Sequence, residues 1–133
     1  GIIVSNHGGR QLDGTIAPLR VLHEIVEVCP TIPVMIDSGF RRGTDIVKAL
    51  ALGAKFVFVG RPFGYAAAIG AEPGVHHAIQ LLSSEFKRNL GLLGMTRVQD
   101  INTQCIRSVS SNSIFNSHLG GSHKKHEFEM GSS

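Results

Sequence analysis

The sequence predicts an α/β protein built around a parallel sheet. Three short apolar runs carry this reading: "GIIVS" at 1–5, "PVMIDS" at 33–38 and "FVFVG" at 56–60. Each is apolar on successive residues, the pattern of parallel strands covered on both faces. Helical patterns lie between and after them, so the chain reads as successive βα units. Polar residues also collect at the carboxyl end of each run, which is the ligand-binding end of parallel α/β folds.

The helices follow in order. "APLRVLHEIVEVC" at 17–29 puts Leu19, Leu22, Ile25 and Val26 on one face, with Pro18 near its start. "TDIVKALAL" at 44–52 opens on Thr44 as the expected N-cap and closes on Gly53. Pro62 opens a helical turn, and a third helix is expected over 74–92, ending near "GLLG". Thr96 is the expected cap of a short turn in "TRVQDIN". From about residue 108 Ser, Gly and Asn dominate and apolar periodicity lapses, so 108–133 is expected to be a disordered tail. Its His118, His123 and His126 have no carboxylate or cysteine cluster beside them, and no metal site is expected there.

Bulk composition excludes several classes. The chain has 133 residues, enough for one modest core, and a net charge of only +3. Its thirteen Lys and Arg are scattered without interleaved aromatics, which argues against nucleic-acid binding. No apolar run reaches membrane-span length. Cys29 and Cys105 form no CxxC pair, which fits a reducing intracellular compartment, the cytoplasm first. A start at Gly1, inside a strand-like run, reads as a piece of a longer protein.

The chemistry sits at the three strand ends. The first delivers Ser5, His7 and Arg10, the second Asp37, Ser38, Gly39, Phe40 and Arg41, the third Gly60 and Arg61. An isolated arginine usually makes a surface ion pair. Two Gly–Arg loops after consecutive strands favour instead a phosphate held by Arg41 and Arg61 with backbone amides near helix starts. His7 alone would pass for a turn residue bonding a carbonyl. Arg10 three residues on changes that, because an imidazole accepts a proton while a guanidinium grips a carboxylate at two points. Gly8 and Gly9 leave room for a ligand between them. His23, His76 and His77 lie in helical segments and read as ordinary surface or packing residues.

The stretches "GIIVSNHGGRQLDG", "IDSGFRRGTDIVKALALGAKFVFVGRPF" and "LLGMTRVQDI" closely resemble the C-terminal part of the FMN-dependent 2-hydroxy-acid dehydrogenases and oxidases. The likeness covers about residues 1–104 and implies part of a TIM barrel, strands six to eight with their helices, residues 1–107 being that domain's share. It implies FMN as cofactor, a small (S)-2-hydroxy acid of the lactate and glycolate class as substrate, and oxygen or a cytochrome as electron acceptor. A homo-oligomer is implied for the full-length protein. His7 then matches the catalytic proton acceptor, Arg10 the carboxylate-binding arginine and Ser5 a flavin-contacting serine. Asp37 through Arg41 match one FMN loop, and Gly60-Arg61 the loop that holds the phosphate.

The chain departs from the family pattern at Ser38, where a second glycine is usual. Serine adds a Cβ and a hydroxyl beside the flavin path and resists positive φ, although toleration is expected. The first five βα units are not in these residues, nor are the family's lysine near the flavin ring, its histidine-orienting aspartate, its tyrosines or its second arginine. Two rivals stay open: a non-catalytic phosphate- or flavin-binding part-barrel, and another phosphate-binding barrel enzyme. The second would need the phosphate loops but not the His7/Arg10 pair.

Overall fold

The computed structural model describes residues 1–107; the tail reading for 108–133 lies outside the described residues. Three strands, β1 (Ile2–Val4), β2 (Val34–Ile36) and β3 (Phe56–Val57), form one parallel sheet in that order. Ile3 stands beside Met35 and Met35 beside Phe56, so these three share a row across the sheet. Val4, Ile36 and Val57 make the next row.

The rows face different surroundings. Val4, Val34 and Ile36 are buried with Leu22 of α1 (Pro18–Val28) and Ala49 of α2 (Gly43–Ala51). Ile3 and Phe56 on the opposite face are 50% and 55% exposed. Coverage on both faces was expected from the uninterrupted apolar runs. Within residues 1–107 the helices cover one face and leave the other apolar and open.

Helix α1 begins with proline in its first turn, as expected, and buries Leu22 completely. Its fixed φ suits a helix start, where the missing N–H has no partner to lose. Helix α2 lies between two clusters. Ala49 faces the sheet, while Val47 and Ala51 pack with Leu90, Ile101 and Phe86. It ends as expected: Gly53 has φ +102, its N–H donates to the Leu50 carbonyl, and the Ala54 N–H donates to that of Ala49. This is the Schellman arrangement, which requires a left-handed residue where glycine is cheapest.

Two capping expectations are corrected. Helix α2 starts one residue before Thr44, with Arg42 at the cap position and no side-chain cap from Thr44. The Asp45 carboxylate instead accepts the N–H groups of Arg41 and Arg42 at 3.2 and 3.0 Å. A carboxylate in the first turn also complements the helix dipole, which a hydroxyl does not. The short turn after residue 96 is Val98–Asp100, capped by Arg97, whose guanidinium grips Asp100. Thr96 takes no part in that bond.

The third helix, α3 (Arg61–Leu92), is far longer than the expected 74–92. It is two segments joined at Gly70 and Ala71, where the backbone leaves helical geometry, with Pro73 just beyond. A proline in a helix lacks a donor and crowds the carbonyl four residues back, here that of Ile69, which is where the helix breaks. The first segment, "RPFGYAAAI", combines small residues with little apolar periodicity and so gave only the Pro62 start.

Candidate functional site

All three strand-end loops meet at one concavity of about 340 Å³. Its walls include His7, Arg10, Asp37, Ser38, Gly39, Phe40, Arg41, Gly60 and Arg61, which is every predicted site residue except Ser5. A larger apolar groove of about 660 Å³ runs along α3 past Tyr65, Ile69 and Leu81. It shares only Arg41 and Pro62 with the smaller cavity, which is where the predicted site residues gather.

The first loop folds unusually. His7, Gly8 and Gly9 have φ of +54, +62 and +74, three left-handed residues in succession. Glycine enters this region freely, so the cost falls on His7, the one L-residue of the three, and the surrounding loops supply the support. The Ser5 hydroxyl accepts the His7 N–H at 3.0 Å. The Ser38 hydroxyl accepts the Gly8 N–H at 3.0 Å, and the Arg61 guanidinium donates to the Gly8 carbonyl at 3.0 Å. Both backbone polar groups of Gly8 are therefore held, its N–H by the second strand's loop and its carbonyl by the third's. A Cβ at Gly8 would stand 2.9 Å from the Arg61 guanidinium, which would have to shift, and φ +62 strains any side chain there. Sequence reading assigned Gly8 the role of leaving space for a ligand. Gly8 does line the cavity, with the Arg61 guanidinium against it, and no local signal could reveal a contact across 53 residues.

Ser38 adopts φ +76 and Gly39 +89. The tolerance expected of serine is what the backbone shows. Ser5 stands behind the wall, its hydroxyl 3.5 Å from that of Ser38. Phe40 is 5% exposed and packs in the core with Ile36 and Ala49, so its ring serves the fold and its backbone is what a ligand could meet. Phe58, Val59 and Pro62 add an apolar wall that the sequence reading did not single out. The alternation in "FVFVG" was its only signal.

The cationic groups fall into two kinds. Arg42 is engaged: it reaches Glu85 through Nε at 2.8 Å and through Nη2 at 2.7 Å, and the same carboxylate accepts the Gly43 N–H at 3.0 Å. These bonds, Arg42 first and then the Gly43 amide, hold the Glu85 carboxyl below its ordinary range. The Glu85 bond likewise raises the Arg42 guanidinium. Among the described residues neither Arg10, Arg41 nor Arg61 has a carboxylate within ion-pair distance, and all three line the cavity. The N-terminus of α2, expected to face an anion, is instead satisfied by Glu85 and Asp45. That of α3, opening on Gly60 and Arg61, forms part of the cavity wall.

The donor set fits a phosphate-bearing ligand. Gly39 and Gly60 have nothing within 4 Å of where a Cβ would project, so ligand atoms can come close to the backbone. Arg61 keeps further N–H donors beyond the one given to Gly8, since a guanidinium carries five. Elsewhere the histidines make surface contacts, His23 with Glu27 at 3.2 Å and His76 with Glu72 at 3.8 Å.

A parallel βα series with a cationic cradle and an imidazole at its strand ends is the arrangement of an α/β protein with room for an anionic ligand. Comparison with known proteins makes this specific. The profile described as FMN-dependent dehydrogenase matches residues 1–108, and the chain belongs to that family. It is 52% identical over 103 residues to an L-lactate oxidase of Nostoc sp., covering 77% of this chain and 28% of that protein. It is 48% identical over 108 residues to human 2-hydroxyacid oxidase 1, covering 80% of this chain and 29% of that one. Among solved structures, a soluble mutant of the membrane-associated (S)-mandelate dehydrogenase from Pseudomonas putida superposes with a TM-score of 0.73 at 47% identity. That match covers 77% of this chain and 29% of the structure. The chain thus spans under a third of the length of these relatives, and its fold is that of a part-barrel.

Proposed function

We propose that these residues form strands six to eight of a TIM barrel and that the full-length protein oxidises an (S)-2-hydroxy acid of the lactate or glycolate class to the 2-oxo acid. The observation that carries the reading is the sharing of one cavity by His7, Arg10, Arg41 and Arg61. Residues 1–107 are the barrel's share in this reading, and the polar 108–133 lie outside it. The open row of Ile3, Met35 and Phe56 supports the assignment, since a barrel's inward side chains pack against opposing strands.

Arg41, Arg61 and the backbone of Gly39 and Gly60 hold the cofactor phosphate, while Ser5, Asp37, Ser38 and Phe40 line the rest of the flavin's place. Bound FMN supplies the chemistry of accepting two electrons. The Arg10 guanidinium clamps the substrate carboxylate through paired N–H donors, which fixes the α-carbon relative to the first loop. The His7 imidazole takes the proton that the substrate gives up as its two electrons depart. Oxygen or a cytochrome as the final acceptor, a homo-oligomeric state and an intracellular location complete the reading. The free thiols of Cys29 and Cys105 support the last of these.

The test is anaerobic rapid mixing of the FMN-loaded full-length protein with L-lactate or glycolate. His7→Gln should slow flavin reduction by roughly 10²–10⁴-fold, the usual loss with a general base, while leaving FMN affinity near that of the parent. An unchanged reduction rate would assign the proton transfer elsewhere.

A further inference from the structure

We infer that Ser38 is a positioning residue: its hydroxyl joins the Asp37 carboxylate to the Gly8 amide and so sets where the His7 imidazole stands. The inference rests on the reading of His7 as proton acceptor. Ser38 is half-buried, and its Oγ donates to Asp37 Oδ1 at 2.9 Å while accepting the Gly8 N–H at 3.0 Å. A hydroxyl can do both at once because it carries one donor and two acceptor sites. Gly8, the donor of that bond, directly follows His7, a non-glycine residue held at φ +54. The Ser5 hydroxyl, 3.5 Å away, accepts the His7 N–H itself, so the amide N–H groups on either side of the His7 Cα are both taken by serines.

The backbone of Ser38 points the same way. With φ +76 it occupies a conformation that favours glycine, the residue usual in the family. Glycine would relax the strain but has no oxygen for the Gly8 amide. A strained non-glycine residue beside a functional loop is the kind of outlier from which a role is argued. Here the role is mechanical. The hydroxyl transmits the fixed position of the strand-two loop to the catalytic turn.

Replacing Ser38 separates hydroxyl from backbone, because Ser38→Gly removes both the bond and the strain while Ser38→Ala removes the bond alone. In the FMN-loaded full-length protein, both variants should slow flavin reduction by glycolate about three- to tenfold, the worth of one hydrogen bond, with KM little changed. Thermal stability should move in opposite directions, Ser38→Gly melting at or above the parent and Ser38→Ala below it. A structural role alone would make rate follow stability, and that result would overturn the inference. So would a Ser38→Gly protein reduced at the parental rate. In a His7→Gln background Ser38→Gly should cause no further slowing, and a full additional loss would also overturn it. If His7→Gln itself is as fast as the parent, the reading of His7 falls and the Ser38 role with it. A slow His7→Gln beside a fast Ser38→Gly removes Ser38 only.

Discussion

The starts of α2 and α3 look alike in sequence and differ in use. Both follow a strand and a loop of small residues with arginine, "SGFRRG" and "VGRP". At α2 the helix end is closed: Glu85 takes Arg42 and the Gly43 amide, and Asp45 takes the amides of Arg41 and Arg42. At α3 the end lines the cavity with Gly60 and Arg61. An arginine beside a helix start is thus evidence for an anion site only when its own guanidinium is unpaired, as among the described residues that of Arg41 is and that of Arg42 is not. The distinction depends on a residue 43 positions away, which no local pattern contains.

The contrast breaks most directly at Arg61. In the full-length protein Arg61→Ala should weaken FMN binding about ten- to hundredfold, the range for a hydrogen bond to a charged group, with a smaller effect on melting temperature. Titration followed by flavin fluorescence measures it. An unchanged affinity with a large stability loss would put Arg61 in the same class as Arg42.

The closed end should respond in stability. A Cβ at Gly43 would stand 2.5 Å from the Phe86 nitrogen and 2.9 Å from the Glu85 carbonyl carbon. Gly43→Ala should therefore cost about 1–3 kcal/mol through overpacking, read from denaturant unfolding of the full-length protein. A neutral result would mean that α2 and α3 separate without cost.

The smallest effect belongs to Glu85. Its carboxyl titrates lower in the folded protein than its ordinary value of 4.5. The ionised form therefore stabilises the fold above that value, and the contribution disappears as pH falls through the lowered one. The melting-temperature gap between parent and Glu85→Gln should be level near neutral pH and shrink below pH 4.5. With Arg42 70% exposed, added salt should narrow the gap as well. A gap that widened on acidification would contradict the pairing.

What the sequence disclosed was local. Pro18 and Gly53 marked helix ends because each answers a backbone requirement at its own position, and the three runs marked strands whose polar ends share a cavity. The first segment of α3 escaped notice because alanine and glycine fit a helix without declaring a face. Thr44 was a reasonable cap by type, but the helix begins at Gly43 and Asp45 brings its charge to the amides of Arg41 and Arg42. The apolar runs signalled cover on both faces, and three strands alone were expected to leave the barrel-interior face open. An apolar row signals that something covers it, and Ile3 and Phe56 find nothing to do so within residues 1–107. At the site the residue types were legible, while the double grip on Gly8 was not, since it joins loops 30 and 53 positions apart.

That grip also gives the site a thermodynamic symmetry. In the proposed reading the two peptide groups that meet at Gly8 link the loop bearing the base to the arginine facing the anion, so whatever factor a ligand on one side adds to affinity on the other is returned in full. Loading order then drops out of the equilibrium: an acid bound at Arg10 first and a phosphate bound at Arg61 first reach the same arrangement of the His7 turn with the same total free energy.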